Sequence, residues 1–333
     1  MLLAVLVTVA VVAVVAQLVA GGGDDNSPAA DRALEADAGN AGLVAYEGLG
    51  AWVDVFDFAP AYQESGRAPL VTVDDVDVMA ALGVKTIYLQ AARFDDKTPE
   101  GLLDPVLLAS FLDRAHERGV RVVGWYLPKF EDLDGDLERV RAIHEFDEQG
   151  QRFDGIALDV EHTDGVADPA ERSRRLVELS QRIRETVGED AAVGAIVLPA
   201  ALLEVVNPNF WPGFPWAEIA PYYDVWMPMT YWSDRREESG YRSGYTYAEE
   251  STRRMRTQLG DPEAPVHPIG GIGDLITEGE VRDYLQALTD TDALGGSIYD
   301  YRTMFGGGWG VFREGLATAL SAAPGSSPPP TGG

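Results

Sequence analysis

Short runs of β-branched and apolar residues alternate with amphipathic stretches along most of this 333-residue chain. The predicted strands begin near Gly50 (AWVDVFDF), Val84 (VKTIYLQ), Val120 (VRVVGWYL), Phe153 (FDGIALDVE), Ala192 (AVGAIVLP), Tyr223 (DVWMPMTYW), Val266 (VHPIGGI) and Gly296 (GSIYDY). Strands that alternate with helices favour parallel pairing, and eight such units within about 280 residues favour closure into a single (β/α)8 barrel of the α/β class. An open, doubly wound sheet is the alternative.

The helical patterns between these strands have recognisable ends. Four helix starts carry either an Asp-Pro pair or the spacing of a capping box: Asp104–Pro105, Asp168–Pro169, Thr246 with Glu249, and Thr277 with Glu280. The first two helices are predicted to end at Gly119 and Gly188. The residues from Pro199 to Pro221 and from Ser233 to Thr246 are predicted to be long loops that shape a cleft.

Both ends of the chain differ in composition from the body. Residues 2–20 are apolar except for Thr8 and Gln17, which predicts a signal peptide or a membrane anchor over residues 1–20. Residues 21–41 are predicted to be a flexible linker, and residues 323–333 (APGSSPPPTGG) a disordered tail. The barrel domain is thus expected over residues 42–322, outside the cytoplasm, either secreted or attached to the membrane through the N-terminal segment.

The net charge and the cysteine content exclude several classes of ligand and site. Lys and Arg number 26 and Asp and Glu 54, so the net charge is −28, which disfavours nucleic acid and anionic bilayers and suits a neutral polymer. The chain has no cysteine, which excludes disulfides, thiolate metal sites and cysteine nucleophiles. No phosphate-binding loop, dinucleotide fingerprint or serine elbow is present in a suitable context, so no cofactor is predicted.

Barrel enzymes place their sites at the carboxyl ends of the strands, which selects the candidate residues. In strand order these are Asp54, Asp57, Gln90, Arg93, Trp125, Tyr126, Lys129, Asp159, Glu161, Tyr231, Trp232, His267, Tyr299, Asp300 and Arg302. Sugar rings stack on aromatic faces, and Trp125 and Trp232 are the preferred subsite candidates, whereas Trp52 and Trp226 are expected in the core.

The fourth strand carries the strongest chemical signal. In its sequence DGIALDVE, Asp159 and Glu161 share one face and lie about 7 Å apart by strand rise. Two carboxylates so placed resist joint ionisation, which raises the pKa of one and supplies a general acid near neutral pH. In the alternative interpretation both acids pair with Arg93, Lys129 or Arg302 and only hold the barrel mouth together.

These eight residues, 154–161, resemble the D-G-x-D-x-D-x-E motif of the family 18 glycoside hydrolases, the chitinase-like group, except that Ala157 stands in place of the middle Asp. Met229-Thr230-Tyr231 is similar to that family's sixth-strand Met-x-Tyr, although Trp232 occupies the place where Asp usually follows. The segments WVDVFDF, LDVE and HPIGGI also resemble a group of actinobacterial barrel proteins.

The resemblance implies a set of roles. Glu161 would be the general acid, Asp159 would orient the substrate's N-acetyl group, and Tyr231 would donate a hydrogen bond to that group. The carbonyl oxygen of the substrate would then act as nucleophile, which is a known exception to the two-carboxylate mechanism. The implied function is a glycosidase acting on an extracellular or cell-envelope polysaccharide that contains N-acetylhexosamine.

Three alternatives stay open at this point. A conventional two-carboxylate site would use Asp54, Asp57 or Asp300 as the partner of Glu161. A metal site of Asp159, Glu161, His162 and His267 is a weaker hypothesis, because strand alternation puts His162 and Glu161 on opposite faces. The replacement at Ala157 favours a catalytically inactive barrel that binds glycan or serves as a scaffold in the cell envelope.

Overall fold

The structure, a computed structural model, describes residues 42–64, 66–98 and 101–303. The predicted signal peptide or anchor, the linker, the C-terminal tail and the end of the barrel domain lie outside the described residues. Within the described ranges, no helix combines the length and the apolar character needed to cross a membrane.

Eight parallel strands form the barrel, as the sequence predicts. They are β1 (Gly48–Val53), β2 (Thr86–Ala92), β3 (Arg121–Tyr126), β4 (Gly155–Val160), β5 (Val193–Val197), β6 (Val225–Pro228), β7 (Ile269–Ile272) and β8 (Gly295–Tyr299). Their order is β6-β5-β4-β3-β2-β1-β8-β7. Isolated parallel bridges from Trp226 to Val266 and from Met229 to Ile269 join β6 to β7, so the sheet is a nearly closed (β/α)8 barrel.

Helices follow the strands and cover the sheet. They are α1 (Asp75–Ala81), α2 (Pro105–Glu117), α3 (Leu133–His144), α4 (Pro169–Val187), α5 (Trp216–Ile219), α6 (Gly244–Leu259) and α7 (Glu278–Asp290). The predicted starts at Asp104 and Asp168 are confirmed as side-chain N-caps, and Thr277 forms the predicted capping box with Glu280.

Two local predictions were wrong. The segment AWVDVFDF does not continue as a strand, because Val55–Phe58 forms a helical turn whose N-cap, Asp54, accepts a hydrogen bond from the Phe56 amide at 2.7 Å. Helix α6 begins at Gly244 with Ser243 as its cap, rather than at a capping box of Thr246 and Glu249. The predicted loop after β5 also contains a π-helical turn, Leu202–Val206, and α5.

Tyr46 closes the amino-terminal end of the barrel. Its ring is fully buried, and its hydroxyl donates to the carbonyl oxygens of Ile156 at 2.7 Å and Ala192 at 3.1 Å. A Cβ on Gly155 would lie 2.9 Å from the Tyr46 hydroxyl, so the Gly of the fourth-strand motif is required by this packing. One end of the barrel is therefore closed, and the opposite end is where a cavity opens.

Candidate active site

A cavity of about 200 Å³ lies at the carboxyl ends of the strands. Its wall comes from almost every strand or the residues just after it: Trp52, Trp125, Asp159, Glu161, Ile196, Met229, Tyr231, Asp234, Ile269, Ile272 and Tyr299. This wall combines carboxylates, aromatic rings and aliphatic side chains and includes no Lys, Arg or His. Such a mixture of apolar surface with a few convergent polar groups is typical of a small-molecule site.

Asp159 and Glu161 meet at this cavity, as the strand alternation predicts. Asp159 precedes Val160, the last residue of β4, and keeps only 8% of its surface exposed, whereas Glu161 follows the strand and is exposed at the rim. The Oδ1 atom of Asp159 is buried and has no hydrogen-bond partner among the described residues. A buried polar atom without a partner costs free energy, which is tolerated mainly where function requires it.

Both carboxyl groups resist ionisation. Burial, reinforced by the negative charge of Glu161, raises the pKa of Asp159 well above its usual range. Loss of hydration at the cavity wall also raises the pKa of Glu161, even though its side chain reaches solvent. The pair therefore holds a proton at a pH where ordinary carboxyl groups have lost theirs, which is the property required of a general acid.

The ion pairs of the alternative interpretation are not formed. Arg93 pairs with Asp95 at 3.2 Å and lies over the ring of Phe56, and Arg302 lies 3.5 Å from Asp57. The ammonium group of Lys129 lies 5.6 Å from the ring centre of Phe94. None of these three cations reaches Asp159 or Glu161, so within the described residues the carboxylate pair has no basic partner.

Tryptophan rings form one side of the cavity. Trp52 stacks on Tyr88 with ring centres 4.4 Å apart and donates its indole N–H to Ser297 at 2.7 Å. Trp125 meets Trp52 edge-on at 6.0 Å and donates to the carbonyl oxygen of Tyr88 at 3.2 Å. Both indole N–H groups are thus used within the protein, which fixes the rings and leaves their apolar surfaces toward the cavity.

Tyr231 and Tyr299 also line the cavity, with ring centres 5.8 Å apart, and the ring centre of Tyr299 lies 6.4 Å from that of Trp52. The Tyr299 hydroxyl donates to Asp54 Oδ2 at 3.0 Å. Burial, Tyr299 and the carboxylates of Asp159, Glu161 and Asp234 all raise the pKa of Tyr231, so its hydroxyl keeps its proton and can donate a hydrogen bond.

Asp54, Asp57 and Asp300 form a separate acidic group between β1 and β8. Their carboxylate oxygens lie within 4.8 Å of one another, and none of the three lines the cavity. Burial and the charges of Asp54 and Asp300 raise the pKa of Asp57 to about 6, which Arg302 partly opposes. Exposed acidic groups at such distances are common without a metal ion.

Besides these three acids and the cations Arg93, Lys129 and Arg302, four more predicted binding residues lie outside the cavity. Trp232 is fully buried against Tyr284 and the backbone of Gly270 and Gly271, so it cannot serve as a sugar platform. The Tyr126 hydroxyl donates to Asp136 of α3, behind the sheet.

Gln90 is 2% exposed and accepts from the Val55 amide at 3.1 Å, so it holds the turn after β1. His267 is fully buried near the closed end of the barrel. Its ring nitrogens lie 2.7 Å from the Tyr46 carbonyl oxygen and 3.2 Å from Ser297 Oγ. Burial lowers the pKa of His267 to about 4, which keeps the ring neutral. Within the described residues, Asp159, Glu161, His162 and His267 do not bring their ligand atoms together as a metal site would require.

Six cavity residues were missed from the sequence, of which four are aliphatic or Met side chains and two, Trp52 and Asp234, are aromatic or acidic. Trp52 was expected in the core, yet at 2% exposure it both packs there and lines the cavity. Asp234 lies two residues after Trp232, and the short helical turn Trp232–Asp234 returns it to the cavity beside Tyr231. The only sequence signal for Asp234 was its nearness to the position where the resemblance calls for an acid.

Comparison with known proteins supports the fold. No protein-family model matches the sequence, and no curated protein matches it. Solved glycoside hydrolase barrels are similar in structure. An endo-beta-1,4-mannanase from Thermotoga petrophila is 10% identical with a TM-score of 0.59, over 85% of this chain and 79% of that chain.

For two further barrels, the structural match covers almost the whole length of the known chain. A chitinase from Bacteroides thetaiotaomicron is 10% identical with a TM-score of 0.58, over 84% of this chain and 98% of its own. The PgaB (BpsB) glycoside hydrolase domain from Bordetella bronchiseptica is 15% identical with a TM-score of 0.57, over 81% of this chain and 98% of its own. At these identities the likeness concerns the barrel fold, and the chemistry must be argued from the site.

Proposed function

We propose that this chain is a glycoside hydrolase that cleaves a polysaccharide outside the cytoplasm, with Glu161 as the general acid. The observation that carries the proposal is the coupled pair of Asp159 and Glu161, which line an aromatic cavity and have no basic partner among the described residues. The expected signal peptide or anchor supports the location. The barrel fold shared with glycoside hydrolases supports the class of reaction by analogy alone.

The division of roles follows from position. Glu161 lies at the rim, where the glycosidic oxygen of a bound sugar can reach its proton, and its raised pKa keeps that proton available. As the bond from the anomeric carbon to this oxygen breaks, the leaving sugar takes the proton and positive charge develops on the ring that stays. Asp159, deeper in the cavity, is placed to stabilise that charge.

An N-acetylhexosamine unit completes the mechanism. Its acetamido carbonyl oxygen attacks the anomeric carbon, while Asp159 orients the acetamido N–H and Tyr231 donates a hydrogen bond. Water then attacks the anomeric carbon and opens the cyclic intermediate, giving its proton to Glu161 and restoring the acid. No carboxylate nucleophile is required, which agrees with the separation of Asp54, Asp57 and Asp300 from the cavity.

A catalytically inactive glycan-binding barrel is the second candidate. The fully buried Ala157 favours it, because no carboxylate stands below Asp159 on the inner face of β4. Trp232 favours it as well, since it fills a core position where the resemblance calls for an acid. In this alternative the aromatic cavity binds the sugar and Asp159 only accepts hydrogen bonds from it.

Hydrolysis assays on Glu161→Gln separate the two candidates. Wild type, Glu161→Gln and Glu178→Gln are incubated with oligomers of chitin, peptidoglycan and mannan, and the products are separated by mass. Glu178 is a matched control because it lies on α4 and pairs only with Arg174, at 2.8 Å. Wild type and the control should cleave one substrate, and Glu161→Gln should lose about 10²–10⁴-fold in rate and still bind it. Binding without cleavage by wild type would support the inactive barrel instead.

A further inference from the structure

A groove of about 850 Å³ opens beside the cavity, between the residues that follow β5 and those that follow β6. One wall contains Asn207 and Phe210, and the other is the run from Asp234 to Arg236. The groove is larger than the cavity, which at about 200 Å³ is small for anything beyond a compact unit.

The groove and the cavity share one residue. Asp234 lines both spaces, at the end of the short helical turn that begins at Trp232. Asp234 is exposed and makes no ion pair within the described residues, so it does not close the passage by binding a cation. A linear molecule whose end occupies the cavity can therefore continue past Asp234 into the groove.

The groove walls offer an aromatic face and unpaired hydrogen-bond donors. Phe210 leaves 37% of its surface exposed, although large aromatic side chains normally pack inside. Arg235 lies 5.7 Å from the ring centre of Tyr247, and neither Arg235 nor Arg236 pairs with a carboxylate in the described part of the chain. In a chain with a net charge of −28, two adjacent arginines without acidic partners are unexpected on charge grounds alone.

We propose that this groove binds the sugar units that continue a linear polysaccharide beyond the cavity. The ring of Phe210 packs against the apolar face of one sugar, and Arg236 donates to hydroxyl or amide oxygens of the chain. The protein then selects long chains over short ones. This inference rests on the proposed function for cleavage, but the binding that it requires can be measured separately.

The binding test uses the full chain carrying Glu161→Gln, so that bound oligomers stay intact. Calorimetry measures affinity for chitin and mannan oligomers from the dimer to the hexamer. Affinity for one series should rise at least about tenfold with length, since one charge-assisted contact accounts for a factor of this size. Adding Phe210→Ala or Arg236→Ala should remove about tenfold from hexamer binding and leave dimer binding unchanged.

Matched controls are available on the outer helices. Val78→Ala removes an exposed apolar side chain on α1, and Arg282→Ala removes an exposed guanidinium on α7, so both should leave the length dependence intact. Thermal melting confirms that all variants fold. Equal losses for dimer and hexamer, or no gain with length in either series, would overturn the groove proposal.

Cleavage assays distinguish this inference from the proposed function. They use the wild-type protein and the groove variants with Glu161 retained. Cleavage without any preference for length refutes the groove and leaves the hydrolase standing. Binding that depends on length and on Phe210, without cleavage, supports the groove and refutes the hydrolase. Failure of every oligomer to bind and to be cleaved refutes both.

Discussion

Replacing Asp159 by Asn should stabilise the folded protein near neutral pH and at the same time impair its chemistry. Asp159 is 8% exposed, and its Oδ1 atom has no partner among the described residues. Asn has nearly the same shape and carries no charge, so the substitution removes the cost of burying an ionised carboxylate next to Glu161. We expect a gain of about 1–3 kcal/mol in the free energy of unfolding near neutral pH, because the amide carries no ionisation cost, whereas its oxygen is no better satisfied than the carboxyl oxygen that it replaces.

The gain must depend on pH in a definite direction. The folded state raises the pKa of Asp159, so the folded protein binds this proton more tightly than the unfolded chain, in which the pKa is about 3.9. The loss of folding stability therefore begins as the pH rises above the pKa of Asp159 in the unfolded chain. It grows until the pH exceeds the pKa of Asp159 in the folded protein. Asp159→Asn should be stabilising near pH 8, and the difference from wild type should shrink toward about pH 4.

Asp136→Asn is the matched control, because Asp136 is buried as completely but is well satisfied. One oxygen accepts from the Tyr126 hydroxyl and the Lys129 amide, and the other accepts from the Phe130 amide at 2.9 Å. Asn supplies only one acceptor oxygen. Its side-chain N–H groups would face a donor that bonds to the other oxygen of Asp136 in the wild type. We expect Asp136→Asn to destabilise the protein by about 2–3 kcal/mol.

Urea unfolding of wild type and both variants at a series of pH values measures these differences. The reasoning about Asp159 is wrong if Asp159→Asn destabilises the protein near pH 8, or if its effect is the same at every pH. It is also wrong if both Asn variants shift stability in the same direction, since the two sites differ mainly in their hydrogen-bond donors.

Three further outcomes follow from the structure. If Glu161 is the general acid, kcat/KM should fall as the pH rises through its pKa, which loss of hydration raises, and a pH–rate profile would show this fall. Gly155→Ala should cost about 1–3 kcal/mol, because its Cβ would lie 2.9 Å from the Tyr46 hydroxyl; urea unfolding that is unchanged would contradict this packing. Trp232→Ala should cost about 3–5 kcal/mol in the same assay, whereas a subsite residue would lower glycan affinity with little loss of stability.

The sequence predicts the barrel well because its signals are local and repeated. Each strand is a short apolar run, and helix ends such as Asp168–Pro169 and Thr277 with Glu280 satisfy backbone groups within a few residues. Where a prediction failed, a competing local interaction prevailed. At Val55–Phe58 the Asp54 cap favours a helical turn over further β-structure, although the residue types suit a strand.

The candidate site was predictable only in part, because strand alternation fixes which side a residue faces and leaves its depth in the barrel open. Alternation placed Asp159 and Glu161 correctly at the cavity. His267 faces inward too, but near the closed end, where Tyr46 and Ser297 surround it. Trp232 follows β6 and turns away into the core, whereas Asp234 returns to the cavity. These differences depend on turns after the strands, which carry no periodic signal.

The fourth strand shows how structural and chemical demands divide along one motif. At its start, Asp154 accepts from the Val122 amide at 2.7 Å and Gly155 makes room for Tyr46, so these two positions secure the closed end. At its end, Asp159 and Glu161 line the cavity, where burial disfavours the ionised form of both carboxyl groups.

Between the two ends, Ala157 determines the electrostatics of the pair. It is fully buried on the same inner face, so no carboxylate below Asp159 adds repulsion, and Glu161 is the one charge that contributes to the raised pKa of Asp159. The two groups therefore titrate as a pair rather than as part of a longer relay. Activity in this barrel would then depend on these two carboxyl groups and on the substrate. Replacing either Asp159 or Glu161 is therefore a sufficient test of the chemistry.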